Sequence, residues 1–208
     1  MSNPFGFETA VQQGYKRVSQ KHRLKFHNMK YSVSVVHRLF LTIWPSPAAR
    51  RRLATVAVPI TQPRITPTPP EKWHVTLLFI GDVRSEDLDR ITAGLQIGFD
   101  PFWLSMDHSR SWGDLAVLEP GNIPPELSAL HRRLARALDR LGLPVEARPF
   151  RPHLTLARTH RHQPLPEGNQ QDQQVIDPVR WRVNYYSLVE SVRGAQATYR
   201  VIRNYPSS

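Results

Sequence analysis

Two short segments of the chain carry the same residues at the same spacing. His74-Val75-Thr76-Leu77 recurs 79 residues later as His153-Leu154-Thr155-Leu156. Each copy follows a proline-bearing approach and reads as the start of a strand. Side chains alternate faces along a strand, so a histidine and a threonine two apart point the same way, while Val75, Leu77, Leu154 and Leu156 enter the opposite layer. Two such strands brought together about a pseudo-twofold axis would present two imidazoles and two hydroxyls to one cleft. That set is sufficient for metal-free acid–base chemistry at a phosphodiester. One neutral imidazole can take a proton from water and one imidazolium can give a proton to a leaving oxygen, because the histidine pKa of about 6.5 keeps both forms accessible. Thr76 and Thr155 can donate hydrogen bonds to the non-bridging oxygens, where negative charge builds in the transition state.

A single H-x-T on a strand is ordinary; the repeat carries the argument. Metal ligation is the rival reading of paired histidines. Neither motif contains an aspartate or glutamate, and no H-x-x-x-H or H-E-x-x-H helix is present, so no metal is expected. The chain has no cysteine, which excludes disulfides, thiol catalysis and thiolate-held metals. It also has no glycine-rich phosphate loop of either common type, and no cofactor is expected. His160 and His162 lie in a polar stretch, and His22, His27, His37, His108 and His131 have no matching context.

The elements that must position these residues can be read along the chain. Residues 1–36 show no clear period and form a basic extension expected to be poorly ordered. Arg38–Trp44 reads as the first strand. Ser46-Pro47 starts a short basic helix reaching about residue 58. The five prolines of residues 59–72 imply an extended loop. Trp73–Ile80 reads as a second strand closed by Gly81, and Ser85-Glu86-Asp87 as the cap of a helix with Leu88, Ile91 and Leu95 on its buried face. Strands are expected near 102–108 and 114–119, with Trp112-Gly113 in the turn. Pro124-Pro125 opens the strongest helix, whose stripe is Ile123, Leu127, Leu130, Leu134, Leu138 and Leu141, with Gly142 at its end. Arg132, Arg133, Arg136 and Arg140 fall mostly off that stripe and read as a solvated face. A strand at 153–158 follows, then a polar loop over 160–177 and final strands near 181–191 and 198–203. The mixture is α+β.

The 208 residues suffice for one sizeable domain or two small lobes sharing a core. The formal net charge is +11. Residues 1–36 hold six Lys or Arg against one acid, and the remainder holds 22 against 16, most of them arginine. A polyanion such as RNA suits this charge, because arginine forks match phosphate geometry; ordinary solubility explains it equally well. No run of about 18 apolar residues is present, and the first 30 residues lack the apolar core of a secretory signal, so a cytoplasmic protein with no membrane association is expected.

At the two motifs the sequence resembles the two-histidine (2H) phosphoesterase superfamily, most closely its RNA 2′,3′-cyclic phosphodiesterases (2′-5′ RNA ligase-like proteins). The segments that carry the resemblance are Pro69–Gly81 and Pro149–Arg158, with Arg38–Pro45 at the opening and Ser191, Gly194 and Tyr199 at the close. The resemblance spans about residues 37–205 and implies one such domain there, with two intertwined lobes. It implies a bilobal, pseudo-symmetric fold in which two antiparallel sheets face a central cleft with helices outside. It implies hydrolysis of an RNA-terminal 2′,3′-cyclic phosphate to a 2′-phosphate without a metal. His74 would be the acid toward the leaving 3′ oxygen and His153 the base on water. Thr76, Thr155 and Arg158 would bind the substrate, with Arg158 assigned to the same face as His153 and Thr155. Arg151 is a weaker candidate, and Phe150 and Trp73 are expected to pack. The partner would be RNA with a cyclic phosphate end, tRNA fragments included, met by a monomer. Cleavage of 2′-5′ linkages, reversible 2′-5′ tRNA ligation and a non-catalytic RNA- or nucleotide-binding module stay open. The strand near 114–118 lacks the tryptophan that the resemblance leads one to expect.

Overall fold

The computed structural model describes residues 35–57, 65–159, 174–192, 194 and 197–208. The extension expected over 1–36 lies outside the described residues up to residue 34, as do residues 160–173 of the expected polar loop. The strands are β1 (Val36–Ile43), β2 (Ile65–Pro67), β3 (Val75–Arg84), β4 (Phe102–Trp112), β5 (Leu115–Glu119), β6 (Leu154–Thr159), β7 (Gln174–Val183), β8 (Tyr185–Val192) and β9 (Thr198–Pro206). The helices are α1 (Pro47–Ala57), α2 (Leu88–Gly94) and α3 (Pro125–Arg140).

Every strand pairing among the described residues is antiparallel, in the order β7-β4-β5-β6-β3-β1-β8-β9, with β2 paired to β6 off this path. The sheet is open. Its two four-stranded halves meet at β3 and β6 through one residue pair, Val75 with Leu154. The two antiparallel sheets expected from sequence are thus continuous at one point. By antiparallel register, that pair directs His74 toward Thr155 and Thr76 toward His153. Counting β2 with its partner β6, the chain crosses between halves four times, from β1 to β2, from β2 to β3, from β3 through α2 to β4 and from β7 to β8.

Both motif strands depart from regular pairing at the same place. Thr42 pairs with Thr76 and Leu41 with Leu78, so Leu77 is an extra residue on β3. Val117 pairs with Thr155 and Ala116 with Ala157, so Leu156 is an extra residue on β6. A bulge reverses side-chain parity beyond it. A second bulge follows on β3, where Phe40 pairs with Phe79 and Leu39 with Gly81. Gly81 sits at φ 88°, a left-handed conformation that side chains resist. It does not close the strand, as the sequence suggested; it lets β3 bend and continue to Arg84.

The helices cover the face of β3 that carries Val75, Leu77, Leu78 and Ile80, and all join one hydrophobic core with Leu53, Ile91, Leu127, Leu134 and Leu138. The Ser46 hydroxyl accepts the Ala49 amide at 3.2 Å, capping α1 as expected. The α3 stripe is buried from Leu127 to Leu138, but Ile123 precedes the helix and is exposed. The helix ends in a Schellman turn: Leu143 N–H donates to Leu138 O and Gly142 N–H to Asp139 O, with Gly142 at φ 69°. The α3 arginines 132, 133, 136 and 140 are exposed.

Three further expectations are corrected. Ser85 does not cap α2. Its hydroxyl donates to Val35 O and meets His37 Nε2 at 2.8 Å, while His37 Nδ1 donates to buried Glu190, which Arg200 also holds. The proline-rich loop contains β2, formed only by pairing with the distant β6. The polar loop ends at residue 173 or earlier, because Gln174–Val183 is a strand. Pro178 is tolerated there because β7 is an edge strand, and residues 176–178 lie in an irregularity opposite Asp107.

Candidate active site

A cleft of about 920 Å³ lies along the junction of β3 and β6. His74, Thr76, His153, Thr155 and Arg158 all line it. The structure therefore brings the five residues singled out from sequence to one place. Strict alternation from His153 and Thr155 would have put Ala157, not Arg158, on the cleft face. The bulge at Leu156 moves Arg158 there. Its counterpart in the first repeat is Phe79, turned to the cleft by the bulge at Leu77. The cleft face thus reads His74, Thr76, Phe79 on one strand and His153, Thr155, Arg158 on the other.

Both imidazoles are held the same way. His74 Nδ1 donates to the Lys72 carbonyl at 2.6 Å, and His153 Nδ1 to the Arg151 carbonyl at 2.9 Å. A carbonyl only accepts, so Nδ1 carries hydrogen in each ring, and Nε2 is the nitrogen left for chemistry. The carbonyl comes in each case from the residue two before the histidine, in the proline-bearing approach. The approach segments therefore fix ring orientation. Among the described residues, neither the Thr76 nor the Thr155 hydroxyl has a side-chain hydrogen bond, so both are free to donate.

The surroundings of the two rings differ. Phe40, Trp44 and Tyr199 stand around His74 with ring centroids at 5.3, 5.7 and 5.3 Å. Burial by these rings lowers the His74 pKa; the Lys72 carbonyl opposes this, and the charge of His153 adds to it. Burial raises the Tyr199 phenol, against a smaller opposing effect of the Arg158 guanidinium, so Tyr199 stays a neutral donor. His153 meets one ring, Trp112, at 4.5 Å. Arg151 lies 4.3 Å over the Trp112 ring and 3.6 Å from Glu119, and it does not line the cleft. Arg158 pairs with Asp114 at 3.7 Å, but its side chain is 57% exposed. Exposed pairs contribute about 0–1 kcal/mol, so a phosphate can compete with Asp114 for it.

The sequence reading did not single out Arg38, Phe40, Lys72, Phe79, Ser191 or Tyr199 as cleft residues, although all six lie within the segments that carried the resemblance. It also placed Trp112 in a turn. Trp112 ends β4 and supplies the aromatic contact to the second histidine that β5 lacks. Trp73 packs in the core at 3% exposure, and Phe150 stacks on His131 at 4.0 Å. Among the described residues, no group of three or more His, Cys, Asp or Glu side chains is placed to hold a metal ion. No described helix is long and apolar enough to cross a membrane.

An open antiparallel sheet in two linked halves, with an H-x-T strand from each half at the junction, defines the 2H phosphoesterase fold. The family model described as the 2′-5′ RNA ligase superfamily matches residues 44–195, and the chain belongs to that superfamily. Solved structures share the fold. LigT of E. coli, crystallised with 3′-AMP, superposes with a TM-score of 0.72 at 22% identity, over 84% of this chain and 99% of that one. TT0787 of Thermus thermophilus gives 0.70 at 22% identity, over 81% and 97%. Two curated relatives are named RNA 2′,3′-cyclic phosphodiesterase. The one from Archaeoglobus fulgidus is 33% identical over 104 residues, 46% of this chain and 56% of that protein. The one from Bacillus subtilis is 29% identical over 96 residues, 43% of this chain and 52% of that protein. The matches thus span about half the length of these relatives.

Proposed function

We propose that the protein is a phosphoesterase that hydrolyses the 2′,3′-cyclic phosphate at an RNA end to a 2′-phosphate, with His74 and His153 as its acid–base pair. The observation that carries this is the matched presentation of the two rings: each is held through Nδ1 by a backbone carbonyl, with Nε2 left for the cleft and a free threonine hydroxyl two residues on. The names of the two curated relatives support the choice of substrate.

In this reading the cyclic phosphate lies between the two strands. Thr76, Thr155 and Arg158 meet its non-bridging oxygens, where charge accumulates. His153 Nε2 takes a proton from water as the water oxygen bonds to phosphorus. The bond from phosphorus to O3′ breaks, and His74 Nε2 protonates O3′. The products are a 2′-phosphate and a 3′ hydroxyl, and exchange with solvent resets both rings. The acid role needs His74 charged, whereas burial in the free cleft favours its neutral form. The bound phosphate anion supplies the opposing charge that draws the proton onto His74.

The test is incubation with a nucleoside 2′,3′-cyclic phosphate in EDTA, followed by phosphorus NMR. The expected product is the 2′-phosphate, and His74→Ala or His153→Ala lowers turnover by roughly 10²–10⁴ with affinity largely retained. Activity abolished by EDTA and restored by zinc or manganese would overturn the metal-free mechanism. Loss of affinity equal to the loss of rate would favour a binding module. The same pair could serve cleavage or ligation of 2′-5′ linkages, and a 2′-5′-linked dinucleotide in parallel separates those activities.

A further inference from the structure

The two histidines are oriented by equivalent carbonyls, yet the segments that carry those carbonyls are built differently. Before His74, Pro70–Lys72 is a 3-10 turn, in which Lys72 N–H donates to Pro69 O at 2.8 Å and Trp73 N–H to Pro70 O at 3.3 Å. Trp73 is buried in the core, and Thr68 N–H donates to Leu156 O at 2.8 Å. Backbone structure therefore fixes the Lys72 carbonyl. The approach to His153 has no such frame. Residues 144–152 belong to no helix or strand, and among the described residues no backbone–backbone hydrogen bond falls on them. Residues 144–149 are all exposed.

Side chains hold this second approach instead. Phe150 stacks on His131 of α3, with ring centroids 4.0 Å apart. Pro152 is buried, and a proline confines the residue before it, Arg151, to extended backbone. The Arg151 guanidinium lies 4.3 Å from the centroid of the Trp112 ring and 3.6 Å from the Glu119 carboxylate. That carboxylate is 13% exposed and also meets Arg110 at 3.1 Å. The Trp112 ring, in turn, is 4.5 Å from the His153 ring. Arg151 thus reaches His153 by two routes: its carbonyl accepts from Nδ1, and its side chain lies on the ring that packs against the imidazole.

We propose that Arg151 and Trp112 are positioning residues for His153, the Arg151 side chain anchoring on Trp112 and Glu119 so that its own carbonyl keeps the imidazole hydrogen on Nδ1. A neutral imidazole carries one N–H, and the nitrogen that bears it is set by the hydrogen bond on offer. Once the Arg151 side chain lets go, no backbone bond holds its carbonyl in place. The hydrogen can then move to Nε2, and a ring protonated there cannot take a proton from water in the cleft. His74 is protected from this exchange, because its carbonyl sits in a hydrogen-bonded turn. The role of His153 as a base rests on the function proposed above; its tautomer does not require turnover.

The experiment reads the tautomer and the rate separately. Nitrogen NMR of the histidine rings is recorded at about pH 8, where unperturbed imidazoles are neutral. Wild type is expected to carry hydrogen on Nδ1 of both His74 and His153. The Arg151 side chain is 56% exposed, so Arg151→Ala is expected to fold, with circular dichroism as the check. In that variant His153 is expected to populate the Nε2–H form while His74 keeps its own. With a nucleoside 2′,3′-cyclic phosphate, kcat is expected to fall roughly five- to thirtyfold, as judged from the loss of one cation–π contact and one partly exposed ion pair. KM is expected to stay within about twofold, since no substrate contact is removed. Arg151→Lys keeps the cation without the planar fork and is expected to restore part of both readouts. Trp112→Phe is expected to retain more of both than Trp112→Ala. An unchanged His153 tautomer in Arg151→Ala, an equal change at His74, or a rise in KM that accounts for the whole loss would overturn the proposal. A tautomer shift confined to His153, in a protein whose wild type hydrolyses no cyclic phosphate, would support the positioning role and overturn the proposed reaction instead.

Discussion

His74 is an imidazole placed among rings, and that placement sets its proton affinity. Phe40, Trp44 and Tyr199 remove water from it, and burial holds its pKa below the usual 6.5. The neutral ring donates through Nδ1 to Lys72 O and keeps an Nε2 lone pair. In the free protein, NMR titration of the His74 ring is therefore expected to show a midpoint below 6.5. Tyr199→Ala, which opens one side of the cage, is expected to move it up, as is saturation with a 2′-phosphate product. A midpoint unmoved by either change would separate the aromatic cage from the chemistry. The same depression has a consequence for stability. Between the folded value and 6.5 the unfolded chain binds the His74 proton more readily than the folded one. This group's share of stability is thus present above about pH 6.5 and declines as pH falls through that window.

At the scale of elements, the bulges decide what reaches the cleft. Gly81 makes the second bulge of β3 at φ 88°, and a Cβ there would meet nothing within 4 Å. Gly81→Ala thus isolates backbone strain from crowding, and a loss of about 1–2 kcal/mol in denaturant unfolding is expected. A neutral result would mean that the strand straightens at this second bulge, beyond Phe79. These bulges also mark the limit of what could be read from the chain. His74 with Thr76 and His153 with Thr155 were legible because a two-residue spacing holds within three residues of any strand. Phe79 was not, because one inserted residue reverses parity and leaves no compositional trace at Leu77. Arg158 was assigned to the correct face although alternation alone points the other way. Strand β2 was hidden for a different reason: three residues in a proline-rich run become a strand only through β6, some ninety residues later. Helices α1 and α3 were read closely because their caps and stripes are local. The seating of Ser85 against His37 was not, because it depends on Glu190 across the sheet.

For the whole molecule, the net charge of +11 overstates what a nucleic acid would meet in the cleft. Among the described residues, three cations line it: Arg38, Lys72 and Arg158. The arginines of α3 lie on a helix packed against the opposite face of β3, and Arg151 is taken up by Trp112 and Glu119. The fold supplies two equivalent strands that differ after their bulges, with Phe79 on β3 and Arg158 on β6. If the cleft alone binds the RNA end, the salt dependence must reflect only those three charges. Each phosphate neutralised on a single strand contributes about −0.7 to the slope of log K against log salt, so a slope no steeper than about −2 is expected for an oligonucleotide. Arg38→Ala should reduce that slope by about 0.7. A slope of about −4 or steeper, left unchanged by Arg38→Ala, would move the binding surface out of the cleft and onto the α3 arginines or the basic segment before β1.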